Sequence, residues 1–513
     1  MVSNRIARQQ LIKGWNQETL DEALLYTLGR GLTSRYATLL GSCLEIGRII
    51  CANDERARNS QSFMGQEISR GEEIATRIGE IVQGLNPNIS VGGLCSGIRT
   101  ETVQNMGFFM NYAFHSGNDW EEKRYLLQNL ARSWGVNSKS LPFRSADEKN
   151  TLLVLGASNF HELRIVDYNS QAAIRPEFLM PQRRLNRRPQ TTITSMACAA
   201  LGLSEIVRRS FDYGQELKHD EVITWNLLSD SRTSHENNFD WSSFNPLEKR
   251  IGVIGCGAIG LMYLEATHDL GFRSFYIRDF DKWEISNFSR APHCVDEEGE
   301  YKAVAARRHF NRRKTRTRYH AQTERFDEKS NFPEVDLLVS AVDGFDNQMR
   351  VINYSQQHRI PLLLGACDDS SLVVYAYAPG QTSSMLYQYD FLKQAYLDSI
   401  RRTHRHCTDP EVLPSQALIT SLCAAILAGE TVNLFSGHPL QGQFKYSMKE
   451  HPRFEYVRVS PDNDLGTKVP YFVPLKSCEV ERIINSQGEE IRVKGKPFNQ
   501  WYEEEGDILR RVK

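Results

Sequence analysis

The stretch IGVIGCGAIG, residues 251–260, carries Gly255, Gly257 and Gly260 at G-x-G-x-x-G spacing behind a run of apolar, β-prone residues. That spacing commits the chain to a strand, a tight turn and a helix whose first N–H groups face a phosphate. The continuation agrees. A helix over LMYLEATHDLG and a strand over SFYIRDFD come next, then a basic helix from Lys302 and the strand VDLLVSAVD. A helix around NQMRVINYSQQH and the strands PLLLGA and VVYAYAP complete the run. Strands alternating with helices of about 10–15 residues predict a parallel, doubly wound α/β sheet. The loop alone leaves the nucleotide open, because NAD in a dehydrogenase and ATP in an adenylating enzyme both use such a turn.

At 513 residues the chain exceeds one hydrophobic core, so about two to four domains are expected. A formal net charge of -1 gives no bulk attraction to nucleic acid or anionic membrane, and neither is an expected partner. The opening MVSNRIARQQLIKGW has no apolar core of signal-peptide type. The most apolar windows, TTITSMACAALGLSEIV and ALITSLCAAILAGETVNLF, carry Ser, Thr or Glu. They fall short of a clean span of about 20 residues and are read as buried helices. Ten cysteines without a C-x-x-C pair argue against a disulfide framework and a Cys-rich zinc site. The expected compartment is a reducing cytoplasm.

The first half echoes the second in degraded form. ALLYTLGRGLTS reads as a strand and glycine turn, YATLLGSCLEI as a helix and GRIICAND as a strand. RGEEIATRIGEIVQGLNPNISV reads as a helix leading into a strand. TLLVLGASNFHELRIVDYNSQ parallels DLLVSAVDGFDNQMRVINYSQ, and the halves close on similar apolar helices, TSMACAALGLSEIVRRSF and TSLCAAILAGETVNLFSG. Self-similarity in fixed order marks a repeated unit. The polar stretch SDSRTSHENNFDWSSFNPLEK is the natural linker. The expected organisation is a domain at 1–228, a linker at 229–249, a domain at 250–438 and a β-rich extension at 439–513. The halves differ where chemistry would sit. Ser34 replaces the last glycine of the turn, and Ser158 stands where the second half has Asp343. The first half is therefore expected to be a non-catalytic scaffold.

Asp279 lies nineteen positions past Gly260, where an acidic residue accepts hydrogen bonds from ribose hydroxyls. Both candidate nucleotides share that ribose. The following segment, RDFDKWEISNFSRAPH, brings Asp281, Asn287 and Arg290, and Lys302 comes next on a helix. A dinucleotide site relies mainly on backbone N–H groups. A triphosphate needs more positive charge, and Arg or Lys at developing phosphate charge supplies it.

Taken together, D-x-D, then S-N-x-x-R, a later Lys and V-D-G-F-D-N at a strand end resemble the ThiF/MoeB/HesA family, which includes the ubiquitin-activating enzymes. The resemblance covers roughly residues 1–435. It implies two Rossmann-like ThiF-type adenylation domains forming an intramolecular pseudo-dimer, with a small mixed C-terminal extension. It also implies ATP-dependent adenylation of a C-terminal carboxylate, usually the Gly-Gly end of a ubiquitin-like protein. By motif, Asp279 holds the ribose, Asp281 joins the nucleotide-binding set, Asn287, Arg290 and Lys302 contact phosphates, and Asp343 binds or positions Mg2+. The family's usual Arg-Gln pair reads Arg290-Ala291 here, so one polar contact is in doubt. The N-terminal RIARQQLIKGW resembles the family's opening segment, which implies that Arg8 reaches the other half's ATP.

A covalent step depends on the cysteines. Cys256 sits inside the glycine loop, and Cys43, Cys198 and Cys423 lie on apolar helices, where free thiols are usually inert. Cys367 is followed by two aspartates, which disfavour thiolate. Cys407 falls in RRTHRHCTDPEVLPSQ among Arg401, Arg402, His404, Arg405 and His406, a setting that lowers a thiol pKa. In the resembling family this segment, about 380–415, is the crossover loop that commonly carries the catalytic cysteine. The expected activity is adenylation followed by thioester formation on Cys407 and transfer to a conjugating enzyme, with further oligomerisation open. The alternative stops at the adenylate of a peptide or sulfur-carrier protein.

Overall fold

The computed structural model describes nearly all of residues 4–94, 241–379 and 415–438, together with separate strands and a helix elsewhere; 114–147, 168–190, 212–221, 228–240 and 380–414 are among the stretches outside that description. The chain enters through a 3-10 turn, Asn4–Ile6, then α1 (Ala7–Gln10) and α2 (Gln17–Asp21). The first sheet starts with β1 (Leu24–Leu28), α3 (Leu32–Cys43) and β2 (Arg48–Ala52). A hairpin of β3 (Gln61–Phe63) and β4 (Gln66–Ile68) leads to α4 (Ile74–Leu85) and β5 (Ser90–Leu94). β6 (Met106–Ala113), β7 (Glu148–Asn159), β8 (Glu162–Asp167), α5 (Thr192–Phe211) and β9 (Val222–Asn226) complete this half. The sheet is seven-stranded, in the order β5-β2-β1-β6-β7-β8-β9. Its β5-β2-β1 part is parallel and the rest antiparallel.

The second half comprises β10 (Arg250–Ile254), α6 (Ala258–Thr267), β11 (Ser274–Arg278), α7 (Lys302–Asn311), β12 (Arg318–Gln322) and β13 (Leu337–Ser340). α8 (Phe345–His358), β14 (Leu362–Cys367), β15 (Ser371–Tyr377) and α9 (Ala417–Phe435) follow, then β16 (Gln443–Ser447) and β17 (Glu455–Val457). Its eight-stranded sheet has the order β12-β11-β10-β13-β14-β15-β16-β17. The run from β12 to β14 is parallel. β13 is buried along its length and β10 nearly so, as parallel strands covered by helices on both faces must be. The sheet continues past residue 438, because β15 to β17 pair antiparallel. The first strands of the expected extension therefore belong to this sheet.

The two halves begin alike and then diverge. β5-β2-β1 corresponds in order and direction to β12-β11-β10. The sequence parallel between TLLVLGASNFHELRIVDYNSQ and DLLVSAVDGFDNQMRVINYSQ does not carry into structure. Glu162–Asp167 is a strand antiparallel to β7, whereas the matching part of the second half is helix α8. The segment LRIV is rich in β-branched and apolar residues at alternating positions, which fits a strand. Ser34 lies buried inside α3 and its carbonyl accepts from Thr38 Oγ1 at 2.8 Å.

Helices form the seam between the halves, with α5 and α9 packed on each other, α5 also on α3, and both on α6. Both apolar windows of the sequence are these buried helices. Among the described residues Ala417–Phe435 is long and apolar enough to cross a membrane, and 89% of that window is buried inside the protein. Hydrogen bonds cross the seam. Tyr36 Oη donates to Glu265 Oε1 at 2.9 Å, Thr192 Oγ1 to Asp269 at 3.2 Å and Asn433 Nδ2 to the Leu227 carbonyl at 3.3 Å.

Candidate functional site

The parallel strands of the second sheet end around the glycine loop, the usual position of a ligand in an open α/β sheet. Each glycine has its own reason. Gly255 has φ +87°, and a Cβ there would meet the Ala341 carbonyl carbon at 2.7 Å. A Cβ on Gly260 would stand 2.1 Å from the Gly255 carbonyl oxygen. A Cβ on Gly257 would meet nothing within 4 Å, so this is the face open to a phosphate, at the start of α6. Gly260→Ala is expected to lower thermal stability by about 1–3 kcal/mol and to weaken nucleotide binding together with it. Thermal melts with and without ATP measure both effects, and a variant as stable as the parent would contradict the packing described.

Asp279 directly follows β11 and is buried. Its carboxylate accepts from Cys256 N at 2.6 Å and Asp281 N at 2.8 Å. Burial pushes its carboxyl up, against Lys302 and the two backbone donors. Asp279 thus fixes the glycine loop and keeps further lone pairs for a ribose hydroxyl. Asp281, expected beside the nucleotide, pairs with Lys302: Nζ lies 3.1 Å from Oδ2, and the Lys302 N–H donates to the Asp281 carbonyl at 2.8 Å. Lys302 opens α7 and is largely buried.

Asn287 is buried in a 3-10 turn, Ile285–Asn287. Its Oδ1 has no partner among the described residues. Arg290 follows, with Nη1 donating to Ser415 Oγ. Burial, then the charge of Arg8, pulls the Arg290 guanidinium down to about 10, against Asp343 and Cys367. Arg8 comes from α1, in the N-terminal segment, and its carbonyl accepts from Ser415 N at 3.4 Å. The Nε atoms of Arg8 and Arg290 are buried without partners among the described residues. Buried donors are normally satisfied, so two adjacent guanidinium groups with donors to spare suit a polyanion. Asp343 is exposed in the turn after β13, where its carbonyl accepts from Asn347 Nδ2 at 2.9 Å. A single exposed carboxylate is a donor that Mg2+, which takes few protein ligands, could use. The fold therefore brings Arg8, Arg290 and Asp343 together, and Asp279, Asp281 and Lys302 around the loop.

Five described cysteines are held as poor nucleophiles. Burial raises the thiols of Cys198, Cys256 and Cys294 and pushes Cys43 up to about 12. Cys367 is raised by burial, then by Cys423, Asp368 and Asp343. Cys407, with its flanking arginines and histidines, lies outside the described residues, as does Cys478.

Two features escaped the sequence reading. Ser415 joins Arg8 to Arg290, and nothing marks it in PEVLPSQ. The second is a buried cluster of Glu265, His293 and His309, with ligand atoms within 4.8 Å of one another. Arg313 already fills the place of a cation there, with Nη2 2.5 Å from Glu265 Oε2 and 2.7 Å from His309 Nε2.

Residues 246–468 match the model of the ThiF family. A search of the curated proteins finds no match. Solved structures with similarity include E. coli MccB with AMPCPP and MccA (18% identity, TM-score 0.34, 42% of this chain and 66% of that one). E. coli MccB with ATP gives 18% identity, TM-score 0.35 and the same coverage. SeMet PaaA gives 16% identity, TM-score 0.33, and 41% and 74% coverage. The match to MccB thus spans just under two thirds of that protein's length. At these scores the likenesses carry no assignment, which rests on the family match.

Proposed function

Because residues 246–468 match the model of the ThiF family, we propose that this protein is an ATP-dependent adenylyltransferase acting on the C-terminal carboxylate of a protein or peptide. The observation that carries this reading is the grouping of Arg8 and Asp343 around Arg290, together with Asp279, which holds the glycine loop at Cys256 N, and Lys302, which pairs with Asp281. Paired guanidinium groups suit the charge of a triphosphate. In the proposed step a carboxylate oxygen attacks the α-phosphorus of ATP. The new P–O bond forms as the bond to the β-phosphate oxygen breaks, and pyrophosphate leaves. The protein's share is positioning and charge neutralisation. Asp279 would orient the ribose, Gly257 and the α6 N-terminus would receive a phosphate, and Asn287, Arg290, Lys302 and Arg8 would neutralise the polyphosphate. Asp343 would hold Mg2+, which supplies further neutralisation.

On this reading the first half is an inactive ThiF-like partner. It contributes Arg8 and a rigid seam, and the chain is a pseudo-dimer. The finer proposal is that the acceptor is a ubiquitin-like protein ending in Gly-Gly. Its adenylate would be attacked by the Cys407 thiolate, with AMP leaving, and the acyl group would pass to a conjugating enzyme. Adenylation without a thioester is the second reading, favoured by the raised thiols of Cys43, Cys198, Cys256, Cys294 and Cys367.

ATP–pyrophosphate exchange with a panel of Gly-Gly-ending proteins and peptides tests the first step. Cys407→Ala is expected to retain exchange while losing a DTT-sensitive enzyme conjugate. Full downstream conjugation by Cys407→Ala would sink the thioester step, and tight NAD binding without ATP binding would sink the adenylation reading.

A further inference from the structure

We infer that Arg5 is a positioning residue of the nucleotide site, setting the Arg8 segment and the Arg290 segment against each other across the two halves; the inference rests on the adenylation reading above. Arg5 lies in the 3-10 turn that leads directly into α1, three residues before Arg8. Its side chain is almost wholly buried, at 6% exposure, an expensive place for a guanidinium unless its donors are used. Nη1 donates to the Leu85 carbonyl at 2.8 Å, at the end of α4 in the first half. Nη2 donates to the Phe288 carbonyl at 3.2 Å in the second half. Phe288 directly follows the Asn287 turn and stands two residues before Arg290. Glu45, itself buried, holds the charge, with Oε1 3.9 Å from Nε.

The chemistry of each contact is specific. The Leu85 carbonyl closes a helix and lacks an intrahelical donor, so it is a good acceptor for a cation. The Phe288 carbonyl belongs to the backbone that carries both Asn287 and Arg290. One planar guanidinium thereby ties three segments: the N-terminal turn that delivers Arg8, the α4 end of the scaffold half and the phosphate-facing turn of the other half. A lysine carries the same charge but cannot present two divergent N–H groups from one plane.

The test is a double-mutant cycle read by titration calorimetry with ATP and Mg2+. Arg8→Ala and Arg5→Ala are each expected to weaken ATP binding about tenfold. The double variant should bind no more weakly than the weaker single, because Arg5 acts through Arg8 and Arg290. Arg5→Lys should fall between parent and Arg5→Ala. Losses that multiply to about a hundredfold, or parent-like binding by Arg5→Ala, would overturn the inference. If Arg5→Ala fails to fold, the cycle of Arg5→Lys with Arg8→Ala gives the same reading. A parent protein that binds no ATP would instead defeat the adenylation reading itself.

Discussion

Arg290→Ala should cut ATP–pyrophosphate exchange by about 10²–10³-fold, the usual cost of removing one preorganised donor from developing charge. The expected loss is this large because Arg290 is not a surface cation. It is half-buried, and burial with the neighbouring Arg8 charge already pulls its guanidinium down to about 10. A bound polyanion would offset the cost of that burial. Arg290→Lys should recover part of the rate, since the charge returns without the two-pronged geometry. The protein should stay folded, which thermal melts can confirm, because loss of a cation beside Arg8 relieves repulsion. An alanine variant with exchange within threefold of the parent would remove Arg290 from the phosphate site.

Much of the second half was legible because its signals are local. The glycine spacing, the acid at Asp279 and the alternation of strands and helices each follow from a few adjacent residues. Placement across the fold was less legible. The pairing of Asp281 with Lys302 could not be read from the sequence, because it depends on the Asp281 carbonyl receiving the Lys302 N–H twenty-one residues on, which fixes the two side by side. The repeat was overextended. Matching letters in HELRIVDYNSQ and DNQMRVINYSQ conceal a strand at Glu162–Asp167 and a helix at Phe345–His358, since local propensity and sheet context outweigh sequence similarity. Ser415 and Arg5 could not be found from sequence, because their roles are contacts between segments hundreds of residues apart.

The Glu265 cluster shows the same limit and makes the strongest stability prediction. Glu265 lies on α6 and is 1% exposed, yet Tyr36 of the first half, His293 and Arg313 all meet its carboxylate. Burial works to raise its pKa, but Arg313, His293 and His268 hold the carboxyl well below its ordinary value. Glu265→Ala would strand the Arg313 cation in the seam, and breaking a buried pair in this way costs about 3–5 kcal/mol. Denaturant unfolding should report that loss, and a change below about 1 kcal/mol would show that the pair does not hold the seam. Acid should act on the same cluster. Burial lowers both His293 and His309, and Arg313 lowers them further. Both therefore hold a proton less tightly in the fold than in the unfolded chain, whose histidines take up protons near pH 6.5. The unfolded state then binds more protons, so stability falls as pH drops below 6.5, by up to about 1.4 kcal/mol per pH unit for each histidine. The Glu265 contribution persists above its unfolded pKa near 4.5 and is lost as pH falls through its lower folded value. Melting temperatures should be level from about pH 7 upward and decline below pH 6.5. In His309→Gln, which keeps a polar group beside Arg313 but cannot titrate, the decline should be shallower. An unchanged slope in that variant would place the acid sensitivity elsewhere.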